Sequence, residues 1–445
     1  MPRRKKQEQP KEEIKKIKTP HLLEGFKDVL PADDKYWNFV ENEVRKIIHD
    51  YSFRRVETPV LEKYELFNHT LFKRSGILDK ESFNFIDKGY KVIMRPDATA
   101  SVARAFIEHN MINQVMPVKL YHWGKMFRQG KIEEDKLRQF TQVSFEIIGD
   151  SSPFLDAELI ILAYFLLKKL GIDTEVKLNS LGCTVCRPEY AKALSGFIKS
   201  KRATVCAECR KKATRDPFYF LNCTNNKCQR VRDEAPQMVD WLCDNCRDHL
   251  FRVLEYLDEL KIPYKLAPSL FRNFDYYSKT VFELQTLEEE DKKSVVLVGG
   301  GRYDDLIEML NGPSTPGAGF SLGIEKAINQ IKARKVELPK PEAPDLFMAQ
   351  ISEQARKKAF VFYEELRKEG FSVKANFSKS SLKAQLDIAT KMGAKLVLIL
   401  GKKEASEDTI LLRDVASGIQ EVVNIKKVLP EIKKRLKEKR KQEEE

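Results

Sequence analysis

Apolar residues recur at helical spacing behind Asp33. Trp37, Val40, Val44, Ile47 and Ile48 share one face, which predicts a helix to about His49. Leu23–Pro31, ahead of it, reads as a loop. Arg54–Leu61 is strand-like, and Pro59 marks an edge or a boundary. Short strand patterns follow at Phe83–Ile86, Lys91–Met94, Lys119–Phe127 and Gln139–Gly149. Such a cluster favours an antiparallel sheet. Helical patterns at 155–170 and 188–200 interrupt it, and sheet signals resume at Thr280–Leu284 and Ser294–Val298, just ahead of Gly299-Gly-Gly301. A further helix is expected to start near Gly323.

Residues 333–344 hold three prolines and no periodic pattern, so they read as a linker. Beyond them the pattern alternates: strand 345–351, helix 353–369, strand 371–377, helix 381–392 and strand 395–400. That is the signature of a small α/β domain. Two domains are expected, the first carrying an insertion.

With 42% hydrophobic and 10% aromatic residues over 445 positions, the chain can bury a large core, which excludes wholesale disorder. The longest apolar run, Leu159–Leu167, is far short of the ~20 residues a membrane span needs. No apolar leader opens the sequence, so the cytoplasm is the expected compartment and a membrane is not an expected partner. The net charge of +13 is concentrated at the ends. Residues 1–18 carry eight basic and three acidic groups, and residues 426–445 carry nine and five. Such tails suit phosphate contacts without sequence preference, and equally suit plain solvation.

All eight cysteines fall between 183 and 246, in four short-spaced pairs: Cys183/Cys186, Cys206/Cys209, Cys223/Cys228 and Cys243/Cys246. In a reducing compartment such pairs point to tetrahedral metal sites of four thiolates each, with Zn2+ as the structural ion. Pairing first with second and third with fourth is simplest; an interleaved arrangement fits the spacing equally well. One zinc with unbound thiols, or redox or iron–sulfur chemistry, are the other readings. Four thiolates leave no open coordination position, so the metal would staple a segment with little core of its own.

Charges also occur where strands are expected. In Gln139–Glu146, polar and apolar residues alternate, which puts Gln142, Ser144 and Glu146 on one face. Arg128 stands on the preceding strand across the charged loop Gly130–Lys136, so the two strands form a hairpin. Arg95-Pro-Asp97-Ala-Thr99 offers an acid at a proline-fixed turn, and Arg272-Asn-Phe-Asp-Tyr-Tyr277 offers an arginine beside an acid and two phenols. Arginines suit phosphate, carboxylates suit an amino group, and a backbone-exposing glycine run adds donors. A site for a zwitterion and a nucleotide fits these residues. So do surface ion pairs in a chain that is 33% charged, and the glycine triplet lacks the spacing of either well-known phosphate loop.

These segments resemble the histidyl-tRNA synthetases, class II aminoacyl-tRNA synthetases, from about residue 21 to 430. The stretch around Pro59 is similar to motif 1, Met126-Phe-Arg128 through Glu146 to motif 2, and Ser321-Leu-Gly-Ile-Glu-Lys326 to motif 3. The most specific matches are Phe271–Tyr277 with Thr280-Val-Phe-Glu283, and Gly299-Gly-Gly-Arg-Tyr-Asp304. The four cysteine pairs resemble those of an insertion found in a subset of bacterial members. The resemblance implies an α+β fold: a class II antiparallel sheet flanked by helices, a cysteine-rich insertion and a C-terminal α/β anticodon-binding domain. Its boundaries would be a basic tail at 1–20, a catalytic core at 21–180 and 262–332, the insertion at 181–261, the linker at 333–344, the anticodon-binding domain at 345–430 and a charged tail at 431–445.

The implied activity is ATP-dependent formation of histidyl-adenylate followed by transfer to histidine tRNA, with Mg2+ accompanying ATP. By motif position, Arg128 and Arg272 would be catalytic, stabilising charge at the α-phosphate. Asp97, Ala98, Thr99, Gln142, Glu146, Tyr276, Tyr277 and Tyr303 would bind histidine. Arg128, Lys136, Phe140, Arg272 and Lys326 would bind ATP, with Phe140 stacking on adenine. Asp97 stands where many members have glutamate, and Gly130 where the class usually has an acid. Asn273 replaces a glycine, and Lys326 replaces an arginine, keeping charge but losing the planar fork. Motif 1 implies a homodimer. The rival expectations are a non-catalytic histidine-sensing relative that regulates histidine biosynthesis, and a zinc-ribbon nucleic-acid binder.

Overall fold

The computed structural model describes residues 19–70, 78–130, 137–213, 216–223, 225–271, 276–287, 294–340, 342–378 and 381–444. The chain divides into two compact units, Met1–Leu338 and Pro339–Glu445.

In the first unit the strands are β1 (Arg54–Arg55), β2 (Leu61–Lys63), β3 (Asn84–Asp87), β4 (Tyr90–Met94), β5 (Val118–Phe127), β6 (Gln139–Ile148), β7 (Thr174–Ser180), β8 (Tyr264–Leu266), β9 (Ser278–Thr286), β10 (Val296–Arg302) and β11 (Gly317–Gly323). Among the described residues eight of them form one sheet in the order β1-β5-β6-β11-β10-β9-β7-β8, antiparallel except at its two edges. A three-stranded sheet, β2-β4-β3, lies apart from it. The expected strand Arg54–Leu61 is therefore two strands in two sheets. Proline cannot donate to a ladder, and the chain changes sheets around Pro59.

Period-two alternation along β6 separates two environments. Val143, Phe145 and Ile147 join the larger core with Val40 and Val44 of the Asp34–Asp50 helix and with the Pro153–Lys169 helix. Phe145 stacks on Phe320 of β11 at 5.0 Å and meets Phe53 edge-on at 5.1 Å. Gln142, Ser144 and Glu146 take the opposite face, as alternation demands. The second core, on Ile93, Phe106, Leu120 and Val281, contains Tyr276, Tyr277 and Tyr303.

Two expectations are corrected in this unit. Gly299–Gly301 does not expose its backbone: all three residues lie within β10, paired with β9 and β11. Glycine is required there by space. A Cβ on Gly300 would sit 2.5 Å from the Gly319 carbonyl, and one on Gly301 would sit 2.7 Å from the Thr280 carbonyl. The cysteine-rich segment is also not short of core, because Tyr190, Leu194, Phe220 and Leu242 are buried in continuity with the main cluster.

The second unit has β12 (Leu346–Gln350), β13 (Val373–Ala375), β14 (Leu396–Leu400), β15 (Thr409–Asp414) and β16 (Gln420–Asn424), in the order β13-β12-β14-β15-β16. Helices Glu353–Lys368 and Leu382–Lys391 make the parallel crossovers, each opened by a serine that caps its first turn. The end of the chain is not a solvated tail over its whole length. A helix runs Ile425–Glu444, and its Val428, Ile432 and Leu436 are buried because they fall on one face at three- and four-residue spacing. Among the described residues no helix is long and apolar enough to cross a membrane.

Candidate histidine pocket and metal centres

Glu146 sits at the middle of the first unit's large sheet, 1% exposed. The Tyr303 hydroxyl donates to its Oε2 at 2.5 Å and the Thr99 hydroxyl to its Oε1 at 2.7 Å. Gly319 faces it across the β6–β11 ladder, where any Cβ would overlap Glu146 Oε2. Burial pushes the Glu146 carboxyl up to about 8, against the pull of these two donors. A buried acid kept close to neutrality by its burial and oriented by fixed hydroxyls suits a polar ring with N–H groups.

Asp97 borders the same site. Its Oδ1 accepts from the backbone N–H of Thr99, the first residue of the Thr99–Glu108 helix, and Ala98 between them is fully buried. The Arg128 guanidinium stands 3.9 Å from Asp97, donates to the Pro96 carbonyl at 3.0 Å and lies 5.1 Å from the Phe140 ring centre. Arg128 falls one residue past β5, and its N–H donates to the Arg138 carbonyl, which closes the β5–β6 hairpin across the charged loop. Tyr276 contacts Tyr277 at 4.7 Å and Tyr303 at 5.9 Å, so the three phenols form one wall. Gln142 lies two residue pairs along β6 from Glu146, 6% exposed, and among the described residues its Oε1 has no hydrogen-bond partner.

The structure therefore gathers Asp97, Ala98, Thr99, Glu146, Tyr276, Tyr277, Tyr303, Arg128 and Phe140 about one pocket, with Gln142 on the same strand face. Lys326 lines a neighbouring cleft with Trp37, Lys125, Gln139 and Glu325, and donates to the Val296 carbonyl. Arg272, Asn273 and Lys136 lie outside the described residues, as does most of the expected basic tail at 1–20.

Beneath the pocket lies a charge cluster that sequence reasoning missed. Arg302, wholly buried, donates to Asp156 at 2.5 and 2.9 Å, to Asp304 at 3.0 Å and to the Asp150 and Ser152 carbonyls. The His249 ring is 2.7 Å from the other Asp156 oxygen. Burial works to raise the Asp156 carboxyl, but the Arg302 charge and the hydrogen bonds from His249 and Arg302 together outweigh it and hold the acid below its ordinary range. The motif Gly299–Asp304 contained the signal, since an arginine between a strand of glycines and a buried tyrosine needs a counter-charge.

The eight thiols form two groups: Cys183, Cys186, Cys243 and Cys246, and Cys206, Cys209, Cys223 and Cys228. Within each, all four Sγ atoms lie within 4.8 Å of one another. The pairing is nested, the outer two pairs around the inner two, which corrects the simplest expectation. Helices explain it. Cys186 starts the Cys186–Ser200 helix, Cys243 stands at the N-cap of the Asp244–Glu259 helix with Cys246 in its first turn, and these helices pack on one core. Burial tends to raise the Cys183 and Cys206 thiols, yet backbone N–H donors and the neighbouring cysteine side chains together bring each down to about 7.

A family model described as histidyl-tRNA synthetase matches residues 25–327, and one described as an anticodon binding domain matches 345–435. The chain belongs to the histidyl-tRNA synthetase family. A histidine--tRNA ligase of Caldanaerobacter subterraneus subsp. tengcongensis is 37% identical over 92% of this chain and 98% of its own length. Another, of Halothermothrix orenii, is 36% identical over 94% and 99%. Among solved structures, an apo histidyl-tRNA synthetase of S. aureus superposes with a TM-score of 0.78 at 30% identity, covering 93% of this chain and all of that one. The α+β architecture and its C-terminal anticodon-binding unit are thus those of the family.

Proposed function

We propose that the chain ligates L-histidine to histidine tRNA, with ATP first converting the histidine carboxylate to histidyl-adenylate. Glu146, buried and gripped by Tyr303 and Thr99, is the observation that carries this reading. An imidazole has two ring nitrogens, and a pocket that pairs both excludes apolar competitors, because they would leave buried polar groups unpaired. Asp97 offers a carboxylate for the α-amino group, and Gln142 an amide oxygen in need of a donor. Arg128 beside Asp97 suits the phosphate to which the histidine carboxylate must be brought, with Phe140 under its guanidinium as a stacking surface for adenine. The histidine carboxylate is the nucleophile, so the protein's contribution is alignment and charge stabilisation. Arg272 and Lys136 complete the phosphate contacts by motif position, and Lys326 the nucleotide side.

Mg2+ would come with ATP and supply neutralisation of phosphate charge. Among the described residues no group of three carboxylates or histidines stands ready to hold it. The two cysteine groups do fit Zn2+: four clustered sulfurs each, partly or wholly buried. Cys183, Cys186, Cys243 and Cys246 would hold one ion and Cys206, Cys209, Cys223 and Cys228 the other, in a structural capacity. On this reading 21–180 with 262–332 is the catalytic body, 181–261 the insertion, 345–430 the anticodon reader, and the working form a cytoplasmic homodimer. The anticodon binding unit disfavours the histidine-sensing alternative. The test is histidine-dependent exchange between ATP and pyrophosphate: exchange absent, or indifferent to histidine, overturns the proposal.

A further inference from the structure

The outer cysteine cluster touches the pocket by two separate routes. Arg187 follows Cys186 on the Cys186–Ser200 helix; its Nη2 donates to the Tyr277 carbonyl and its Nε to the Leu181 carbonyl at 3.2 Å. Backbone bonds reinforce this link, from Leu181 N–H to the Lys279 carbonyl at 2.7 Å and from Lys279 N–H to the Gly182 carbonyl at 2.9 Å. The second route starts on the Asp244–Glu259 helix, which leads out of Cys243. There His249 meets Asp156, Asp156 holds Arg302, and Arg302 precedes Tyr303, whose hydroxyl grips Glu146. Closing the outer cluster binds these two helices to each other, and so fixes both ends of the tyrosine wall.

We propose that Arg187 and His249 are positioning residues through which the outer cysteine cluster sets the geometry of the imidazole end of the pocket. The proposal rests on the histidine pocket argued above. Neither residue meets the substrate; each orders a tyrosine that does. The coupling falls on the imidazole end: both routes terminate on its tyrosines, whereas Arg128 is held by Asp97 and the Pro96 carbonyl, and Asp97 meets Glu146 one step further on, through Thr99.

The test uses the full-length, zinc-loaded chain with Arg187→Gln, Arg187→Lys and His249→Gln. In pyrophosphate exchange the Gln variants should raise the KM for histidine about tenfold, the equivalent of one lost charge-assisted hydrogen bond. The KM for ATP and kcat should hold. Calorimetric affinity for histidine without ATP should fall in parallel, and Arg187→Lys, which keeps a cation for the Tyr277 carbonyl, should recover most of it. Cys183→Ser should weaken histidine binding in the wild-type background and add nothing on top of the Arg187→Gln/His249→Gln double variant. Unchanged histidine affinity in both Gln variants, or ATP and histidine constants worsening together, overturns the proposal. If Arg187→Gln does not fold, Arg187→Lys and Cys183→Ser decide by the same affinity. A wild-type chain that binds histidine without exchange removes the synthetase reading and leaves this test standing; one that binds no histidine removes both.

Discussion

At the scale of single residues, Glu146 carries the tightest constraint. Its pKa in the folded chain lies near 8, above the 4.5 ordinary for a glutamate, so folding favours the protonated form. The stability that goes with that proton is fully present below about 4.5 and is lost as pH climbs through 8. Wild-type protein should therefore lose thermal stability relative to Glu146→Gln between pH 5 and 9, and histidine should restore it. The same variant should raise the KM for histidine at least about tenfold in exchange assays. Asp156 behaves oppositely, being held ionised by Arg302. Asp156→Asn strands a buried guanidinium, and urea unfolding should register a loss of about 3–5 kcal/mol. Glu146 was legible in the sequence, because alternation along one strand is local and sorts faces. Asp156, His249 and Arg302 were not: they stand up to 146 positions apart, and only the fold makes them neighbours.

Elements explain what local pattern could not. Glycines in β10 and β11 let strands and side chains approach the Glu146 carboxylate, yet a glycine run reads locally as a turn. Gly319→Ala should abolish detectable histidine binding by calorimetry and lower the melting temperature, since the new methyl takes the space of Glu146 Oε2 and would sit 2.6 Å from the Phe145 carbonyl of the paired strand. The cysteine spacings identified four ligand pairs but left their partners open, since pairing depends on where two helices begin. Elemental analysis of anaerobically purified protein should find about two zinc ions per chain, and Cys183→Ser should remove one and spare the other. The strand Arg54–Leu61 was legible as extended chain; that it serves two sheets was not, because ladder partners β4 and β5 arrive from later sequence.

For the molecule as a whole, the division at Leu338 agrees with the proline-rich linker seen in the sequence, and the second unit has its own core. The last two strands and the closing helix of that unit escaped sequence reading, since Gln420–Asn424 is an exposed edge strand whose alternation is weak. In the first unit the small sheet leaves Leu61, Phe85, Ile86 and Tyr90 exposed around the stretch that resembles motif 1. Sedimentation at micromolar concentration should give a species near twice the 51.5 kDa chain mass, and charged substitutions at Phe85 and Ile86 should dissociate it.

The nested cysteines impose an order of assembly. Cys206 and Cys223 are 17 positions apart, whereas Cys183 and Cys243 are separated by 60, so closing the outer ring costs roughly 1 kcal/mol more chain entropy. During refolding at limiting zinc the inner ring should fill first, and the outer ring, whose helices reach the tyrosines, should fill last. Metal starvation would then blunt recognition of the amino acid before it unravels the insertion.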